Sequence, residues 1–407
     1  MLRPGPELCA PLRALPARLL SLDHPPSPLL ENPEVKIGCV REIKTHEYRV
    51  GLTPAGVEEL VADGHQVFIE SGAGEGSGLG DELYSDAGAQ LISGPEGVWG
   101  EADLMLKVKE PQSVEWQRMR PGQTLFTYFH LAADEALTRG VLATGSHCIA
   151  YETLVVNGRL PLLEPMSEVA GRLAIQAGAR CLEKPVGGLG TLLGGVPGVR
   201  PAKVLILGGG TVGTNSARMA AGLGADVVIA DVNHARMAYL DEILPANCTT
   251  LWSSRRAIRE ELASADLVVG AVLIPGAAAP KLVRVEDLKV MKPGSVIVDV
   301  AIDQGGCFET AKPTTHDDPT YVVDGVVHYC VANMPGAVPR TSTLALTSAT
   351  LPWVRKLASE GTKAAIQGSP ALAHAANALG GILTCEPVGR DLGIDWTPVE
   401  EAAGQLA

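Results

Sequence analysis

The residues with the most specific chemical spacing lie in Lys203–Asp231, KVLILGGGTVGTNSARMAAGLGADVVIAD. Gly208, Gly210 and Gly213 fall in the order G-x-G-x-x-G after a short apolar run and before an Ala-rich stretch. A second apolar run then ends on Asp231, about 20 residues after the first glycine, the spacing of a dinucleotide fingerprint. Each part has a task. Gly208 permits the tight turn off the strand, Gly210 leaves room for a pyrophosphate, and Gly213 lets helix and strand pack closely. The helix N-terminus presents unpaired N–H groups and a partial positive charge to phosphates. Asp231 is placed to accept hydrogen bonds from ribose hydroxyls and to repel a 2′-phosphate, which favours NAD over NADP. A bare G-x-G-x-x-G is a weak signal, and the extra Gly209 weakens it further. The two flanking strands, the helix and the terminal acid make it strong.

A dehydrogenase also needs a carboxylate anchor, a general acid/base and a group that stabilises charge at the reacting carbon. Arg49, in HEYRVGLTP, follows one strand-like run and suits bidentate capture of a carboxylate, although an ion pair between elements is the plainer reading of that stretch alone. Lys107 and Lys109 alternate in LKVKEP, so on a strand they share a face; one of them reaching a cleft competes with a solvated strand edge. His130 closes the apolar run TLFTYF, where a catalytic histidine and a satisfied core histidine are equally consistent. Asp303, in VDVAIDQGG, precedes two glycines that allow close approach of a ligand, and a capping Asp in a turn is its alternative. Cys307 and Cys330 lie near these loops, but no His or Asn partner pattern supports nucleophilic catalysis and both read as structural. No metal-ligand spacing is present.

These residues need elements to hold them. Val35–Val40 reads as a strand. Thr53-Pro54 then opens a helix as N-cap and first position, with Val57, Leu60 and Val61 as its apolar stripe and Gly64 as its stop. Strands follow at 65–70, 103–109 and 124–129, with helical segments between, which describes an α/β unit with a mostly parallel sheet. A long helix from Ser167 to about Glu183 and a Gly/Pro-rich stretch, 187–198, lead to the strand before the glycine turn. Further strands are expected at 266–270, 295–299, 321–323 and 326–330. A helix through Leu344–Ser359 is expected to return to the first unit. The fold class is therefore α/β, with two Rossmann-like domains. Residues 35–165 and 337–407 form a discontinuous substrate domain, 166–336 form an inserted NAD-binding domain, and the active site lies in the cleft. Residues 1–34 are Pro-rich, with interspersed Arg and Leu, and read as a disordered extension or an upstream start rather than a targeting peptide.

Composition narrows the partners. The 407 residues carry a formal net charge of −13, which argues against nucleic acid or an anionic membrane surface as partner. The 46% hydrophobic content suits a globular enzyme, and no apolar run approaches a membrane span. Eight scattered cysteines fit reduced thiols, and a cytoplasmic location is the expectation.

Taken together, HEYRVGLTPAGV, GAGEGSG, LKVKEP, FTYFHLAA, PLLEPMSEVAGRLA, GGVPGV, GAVLIPGAAAP, MKPGSVIVDVAIDQGGCFE and YCVANMPGAVPRTST resemble the alanine dehydrogenase family, over nearly the whole chain from Lys36. The resemblance implies reversible, NAD-dependent oxidative deamination of L-alanine to pyruvate and ammonium by a soluble homo-oligomer, usually a hexamer. It implies that Arg49 and Lys109 bind substrate and that His130 and Asp303 share acid/base roles. It implies cofactor contacts at Ser167, Gly208, Gly210, Thr211, Val212, Gly213, Asp231, Arg236, Ser253, Val272, Leu273, Val300, Ala301, Ile302, Asp303, Val331, Ala332, Asn333 and Met334. GGGTVG replaces the commoner GAGTAG, and Arg236 stands where the family often has Lys. The competing readings are the soluble NAD-binding subunit of a proton-translocating transhydrogenase, which typically departs at the Lys109 and Asp303 slots, a dehydrogenase of another small amino acid, and a catalytically silent NAD-binding regulator.

Overall fold

The structure, a computed structural model, describes residues 34–272 and 279–406. Leu273 and the N-terminal extension up to residue 33 lie outside the described residues. Thr53 caps the first helix, Pro54–Ala62, accepting from Gly56 N at 3.3 Å with Pro54 at the first position. Its capping spares one orphan N–H, and the proline fills a site whose N–H would be unpaired anyway.

The strands form two sheets. The first contains β1 (Lys36–Cys39), β2 (Gln66–Glu70), β3 (Gln90–Ile92), β4 (Leu104–Leu106), β5 (Thr124–Thr127) and β6 (His147–Ala150). The second contains β7 (Lys203–Leu207), β8 (Asp226–Asp231), β9 (Cys248–Trp252), β10 (Leu267–Gly270), β11 (Val296–Asp299), β12 (Thr320–Val323) and β13 (Val326–Tyr329). Two late strands, β14 (Ala376–Leu379) and β15 (Ile382–Leu383), return to the first sheet, giving the order β15-β14-β6-β5-β4-β1-β2-β3. There β14 runs antiparallel to β6 and β15 antiparallel to β14, while β6 through β3 are parallel. The second sheet has the order β12-β13-β11-β10-β7-β8-β9 and is parallel except for β12. Parallel strands covered on both faces must be apolar throughout, and LML of β4, LVVG of β10 and VIV of β11 are entirely buried.

Both sheets reverse direction of growth once. The chain builds β1, β2 and β3 outward, then returns to place β4 on the other side of β1; it does the same around β7, with β10 on its far side. Loops leaving neighbouring strands at such a switch diverge and open a crevice, where open α/β sheets hold ligands. Arg49 and Lys109 follow β1 and β4; Gly208 and Val272 follow β7 and β10.

Two helices carry the chain between the sheets. Glu164–Cys181 buries Met166 and Val169 in the core of the first sheet and Leu173, Ala174, Ile175 and Cys181 in that of the second. Pro339–Glu360 brings the chain back and buries Leu346, Val354 and Leu357 in the first core. The first of these helices begins before Ser167 and ends at Cys181, and the second extends beyond Leu344–Ser359 in both directions. The strand expected over 103–109 stops at Leu106, so the alternation rule does not extend to Lys107 and Lys109. Strands β3, β6, β9, β14 and β15 were not anticipated. Among the described residues no helix is long and apolar enough to cross a membrane.

The helix Glu164–Cys181 also presses on the glycine-turn helix, Thr211–Gly222. A Cβ at Gly171 would lie 2.3 Å from the Val212 carbonyl oxygen. Helix propensity alone would make Gly171→Ala stabilising by about 1 kcal/mol. The contact reverses the sign: we expect Gly171→Ala to destabilise by roughly 1–3 kcal/mol in urea unfolding, as overpacking does. An unchanged or raised midpoint would show that the two helices are not in contact there.

Candidate active site

Arg49 lies in the loop after β1 and is only 2% exposed. Its Nε donates to Glu47 Oε1 at 2.6 Å and its Nη2 to Glu47 Oε2 at 2.5 Å, a bidentate pair. Nη2 also reaches Asn333 Oδ1 at 2.9 Å, and among the described residues Nη1 has only the weak acceptor Met166 Sδ, at 3.0 Å. Burial disfavours both charges, and the mutual pairing overrides it: Arg49 is raised and Glu47 lowered from their ordinary values. The guanidinium thus keeps its charge and one open edge.

The two lysines after β4 have different fates. Lys107 Nζ is sealed between Glu42 Oε2 at 2.9 Å and Glu115 Oε1 at 3.0 Å, all three groups being buried. Glu42 Oε1 meanwhile accepts Val108 N at 2.6 Å and Lys109 N at 3.2 Å. Tyr151 Oη donates to the Lys107 carbonyl at 3.1 Å, and Thr127 Oγ1 to that of Lys109 at 3.0 Å. The backbone of residues 107–109 is therefore pinned on every side. Lys109 itself makes no ion pair among the described residues. Burial, then the charges of Arg49 and Lys44, lower its pKa below the ordinary 10.5, against Glu110 and Asp303, which favour its proton.

His130 follows β5 in the left-handed region, with φ 52°. Glu152 makes that turn possible: it accepts Phe129 N at 3.0 Å and His130 N at 2.6 Å. The same carboxylate stands 4.0 Å from Nδ1 of the half-exposed imidazole. The ring stacks on Tyr128 at 5.8 Å between centroids and 3° between planes, and Tyr128 is itself held by the Leu162 carbonyl at 2.6 Å.

Asp303 reaches the same region from the second sheet, on the short turn Ile302–Gln304 after β11. The turn rests on buried Asp299, which accepts Ala301 N at 3.1 Å, Cys307 N at 2.8 Å and Phe308 N at 3.4 Å. Burial pushes this carboxyl up to about 6 in spite of those donors. A Cβ at Gly306, φ 78°, would lie 2.4 Å from Asp299 Oδ2, so only glycine fits there. Asp303 is exposed, and its charge acts on Lys109. Val300, Ala301 and Ile302 lead into this turn. Burial pushes the neighbouring thiols up, Cys307 to about 12 and Cys330 to about 11, which leaves neither a thiolate.

The glycine turn fits a pyrophosphate. A Cβ at Gly208, φ 102°, would stand 2.8 Å from the Ala271 carbonyl, and one at Gly213 only 1.8 Å from the Gly208 carbonyl, whereas one at Gly210 would meet nothing within 4 Å. Gly210 is the N-cap of Thr211–Gly222 and supplies no side chain to its orphan N–H groups, so those of Thr211, Val212 and Gly213 are offered outward. Asp231 braces the turn, accepting Gly209 N at 2.6 Å and Asn233 N at 2.8 Å, one on each oxygen. Arg236 ties the turn from the next helix, donating to the Gly209 carbonyl at 2.5 Å and to Thr214 Oγ1 at 2.7 Å, with its guanidinium 5.0 Å from the Tyr239 ring centre. Ser253 N donates to the Asp231 carbonyl at 2.8 Å. Val272 is half-buried at the switch point beside Gly208, and Ser167 is half-buried on the connecting helix next to Met166. Val331, Ala332, Asn333 and Met334 follow β13, with Asn333 at φ 62° facing Arg49.

Sequence reasoning passed over Glu42, Glu47, Glu115, Glu152 and Asp299, the acids that hold the candidate groups. Only Glu47, two residues before Arg49, carried a local signal.

Two family models match the chain: Alanine dehydrogenase/PNT, N-terminal domain, over residues 38–170, and Alanine dehydrogenase/PNT, C-terminal domain, over 174–386. The alanine dehydrogenase of Halomonas elongata is 55% identical over 371 residues, covering 91% of this chain and 100% of the relative. That of Bacillus subtilis is 54% identical over 367 residues, covering 90% and 97%. Among solved structures, an L-alanine dehydrogenase superposes with a TM-score of 0.86 at 51% identity, covering 88% of this chain and 99% of its own. A transhydrogenase from Sinorhizobium meliloti does so at 0.74 and 25% identity, covering 86% and 99%.

Removing Lys107 tests the buried triad. Lys107→Met leaves Glu42 and Glu115 facing each other without a counter-charge, and we expect a loss of about 3–5 kcal/mol at neutral pH. Burial already raises Glu42, and the variant removes the ammonium that offsets this, so stability falls as pH rises through that carboxyl and recovers in acid. Urea unfolding at pH 5 and pH 7.5 reads both; a loss independent of pH would refute the charge account.

Proposed function

Because the chain belongs to the alanine dehydrogenase/PNT family and its activity is that of an alanine dehydrogenase, we propose the following division of its site. Residues 35–165 and 337–407 act as the substrate domain and 166–336 as the NAD domain. The observation that carries this reading is the contact between loops of the two sheets at the carboxylate anchor, where Asn333, after β13, bonds to Arg49 at 2.9 Å and to Glu47 at 3.0 Å, both after β1.

Bound at the glycine turn, NAD supplies a two-electron hydride acceptor. Arg49, through its open Nη1 edge, and Lys109 hold the carboxylate of L-alanine. Asp303 faces the α-ammonium group, and one proton leaves that nitrogen as the hydride leaves Cα, giving iminopyruvate. Water adds to the imine carbon to form a carbinolamine, a proton moves from oxygen to nitrogen, and ammonia departs to leave pyruvate. His130 passes these protons, because an imidazole ring carries one nitrogen that can donate a proton and one that can accept it. Glu152 fixes its backbone and faces Nδ1. Asp231 receives the adenosine ribose and disfavours a 2′-phosphate; Arg236, Ser253, Val272 and Val331–Met334 line the rest of the cofactor path.

The proposal includes a cytoplasmic homo-oligomer, a hexamer by the resemblance. The exposed apolar side chains Leu192, Val196 and Val199 of the linking stretch support assembly, and light scattering reads its size.

The deciding assay is NADH oxidation in the presence of pyruvate and ammonium. Turnover is expected only when both are present; NADH binding without turnover on any 2-oxo acid would favour the transhydrogenase reading. Asp231→Ala should raise the KM for NADH roughly tenfold, the loss of about 1.4 kcal/mol, with kcat nearly unchanged. An unaltered KM would remove Asp231 from the cofactor site.

A further inference from the structure

Loops from the two sheets meet on one carboxylate. Asn333, after β13, donates from Nδ2 to Glu47 Oε2 at 3.0 Å and accepts at Oδ1 from Arg49 Nη2 at 2.9 Å. Arg49 closes the ring by gripping both oxygens of Glu47. The amide is packed in place as well as bonded: a Cβ at Gly336 would lie 2.8 Å from Asn333 Nδ2. The backbone carbonyl of Asn333 meets His316 Nε2 at 3.3 Å and Gly336 N at 3.0 Å, and the residue holds a left-handed conformation that asparagine tolerates better than most side chains.

The consequence is mechanical. Asn333 belongs to Val331–Met334, the segment assigned to the cofactor, yet its side chain is committed to the substrate's carboxylate anchor. Among the described residues Nη1 of Arg49 meets only the weak acceptor Met166 Sδ, and the direction of that edge is set by the ring. A displacement of Val331–Met334 therefore turns Arg49, and a carboxylate on Arg49 resists the displacement.

We propose that Asn333 is a positioning residue that couples occupation of the cofactor cleft to the affinity of Arg49 for the substrate carboxylate. This rests on the alanine dehydrogenase reading for the identity of the two ligands. Such coupling is reciprocal: whatever factor NADH adds to substrate affinity, substrate adds to NADH affinity.

Oxamate, a flat pyruvate isostere that cannot be reduced, serves as the probe. Its Kd is measured calorimetrically on the full chain, with and without saturating NADH. For the wild-type protein NADH should tighten oxamate by about tenfold or more, within the usual range of such couplings. In Asn333→Ala that ratio should fall to about threefold or less, whatever the change in affinity for NADH alone. Asn333→Asp still accepts from Arg49 but cannot donate to Glu47 and sets one carboxylate against another, so it should lose the coupling too; Asn333→Ser replaces the alanine variant if that does not fold. A variant that weakens oxamate equally with and without NADH, leaving the ratio intact, is merely structural and overturns the proposal. A wild-type ratio near one overturns it while pyruvate turnover, and with it the functional reading, stands. If the wild-type protein binds NADH but neither binds oxamate nor turns over, the functional reading itself has failed and the coupling falls with it.

Discussion

The geometry of the site depends on charges held out of water without being neutralised by proton loss. An isolated guanidinium with the exposure of Arg49 would be strongly disfavoured, and one carboxylate, Glu47, makes it tenable by occupying two of its nitrogens. Lys107 is the inverse case, one ammonium shared by two buried acids. Neither arrangement is an efficient source of stability, since buried ion pairs repay their desolvation only narrowly. What they supply is direction. The guanidinium edge and the backbone beneath Lys109 are each held by bonds that tolerate little movement. Among the described residues Lys109 pairs with no carboxylate, which is why burial and Arg49 loosen its proton.

The two sheets solve the same problem with different materials. Around β1 and β4 the crevice is edged with long charged side chains; around β7 and β10 it is edged with main chain, and side chains are absent where the turn must be approached. Gly210 is open for that reason, while Gly208 and Gly213 are needed for the turn's own packing. The helix Glu164–Cys181 contributes to the cores of both sheets, so the two crevices are registered by a continuous element.

How far the sequence was legible follows from the range of each constraint. The glycine turn is local: φ 102° at Gly208 and a 1.8 Å approach at Gly213 are demands that only glycine meets, and they fall within a few residues. The α/β alternation and the long connecting helix were legible from apolar runs for similar reasons. The environment of the charged residues was not. Arg49 and Asn333 are 284 positions apart, and Lys107 and Glu42 are 65 apart. Alternation assigned Lys107 and Lys109 to one face, but it holds only inside a strand, and β4 ends before both. Short strands such as β3 and β15 escaped because two or three residues cannot display a period. Leu273 lies outside the described residues.

The late return of β14 and β15 bears on how the chain is made. Until residues 376–383 leave the ribosome, β6 has one edge without a partner, although the whole second sheet has by then been synthesised. An unpaired edge invites pairing with other chains, and contacts so distant in sequence are slow to form. The inserted lobe, whose strands are contiguous from Lys203 to Tyr329, is free to fold first. Birth order therefore makes the nucleotide-shaped lobe the early template and the lobe with the charged anchors the late one, completed only when the last strands zip onto an edge that has been waiting for more than two hundred residues of translation (from Ala150 to Ala376).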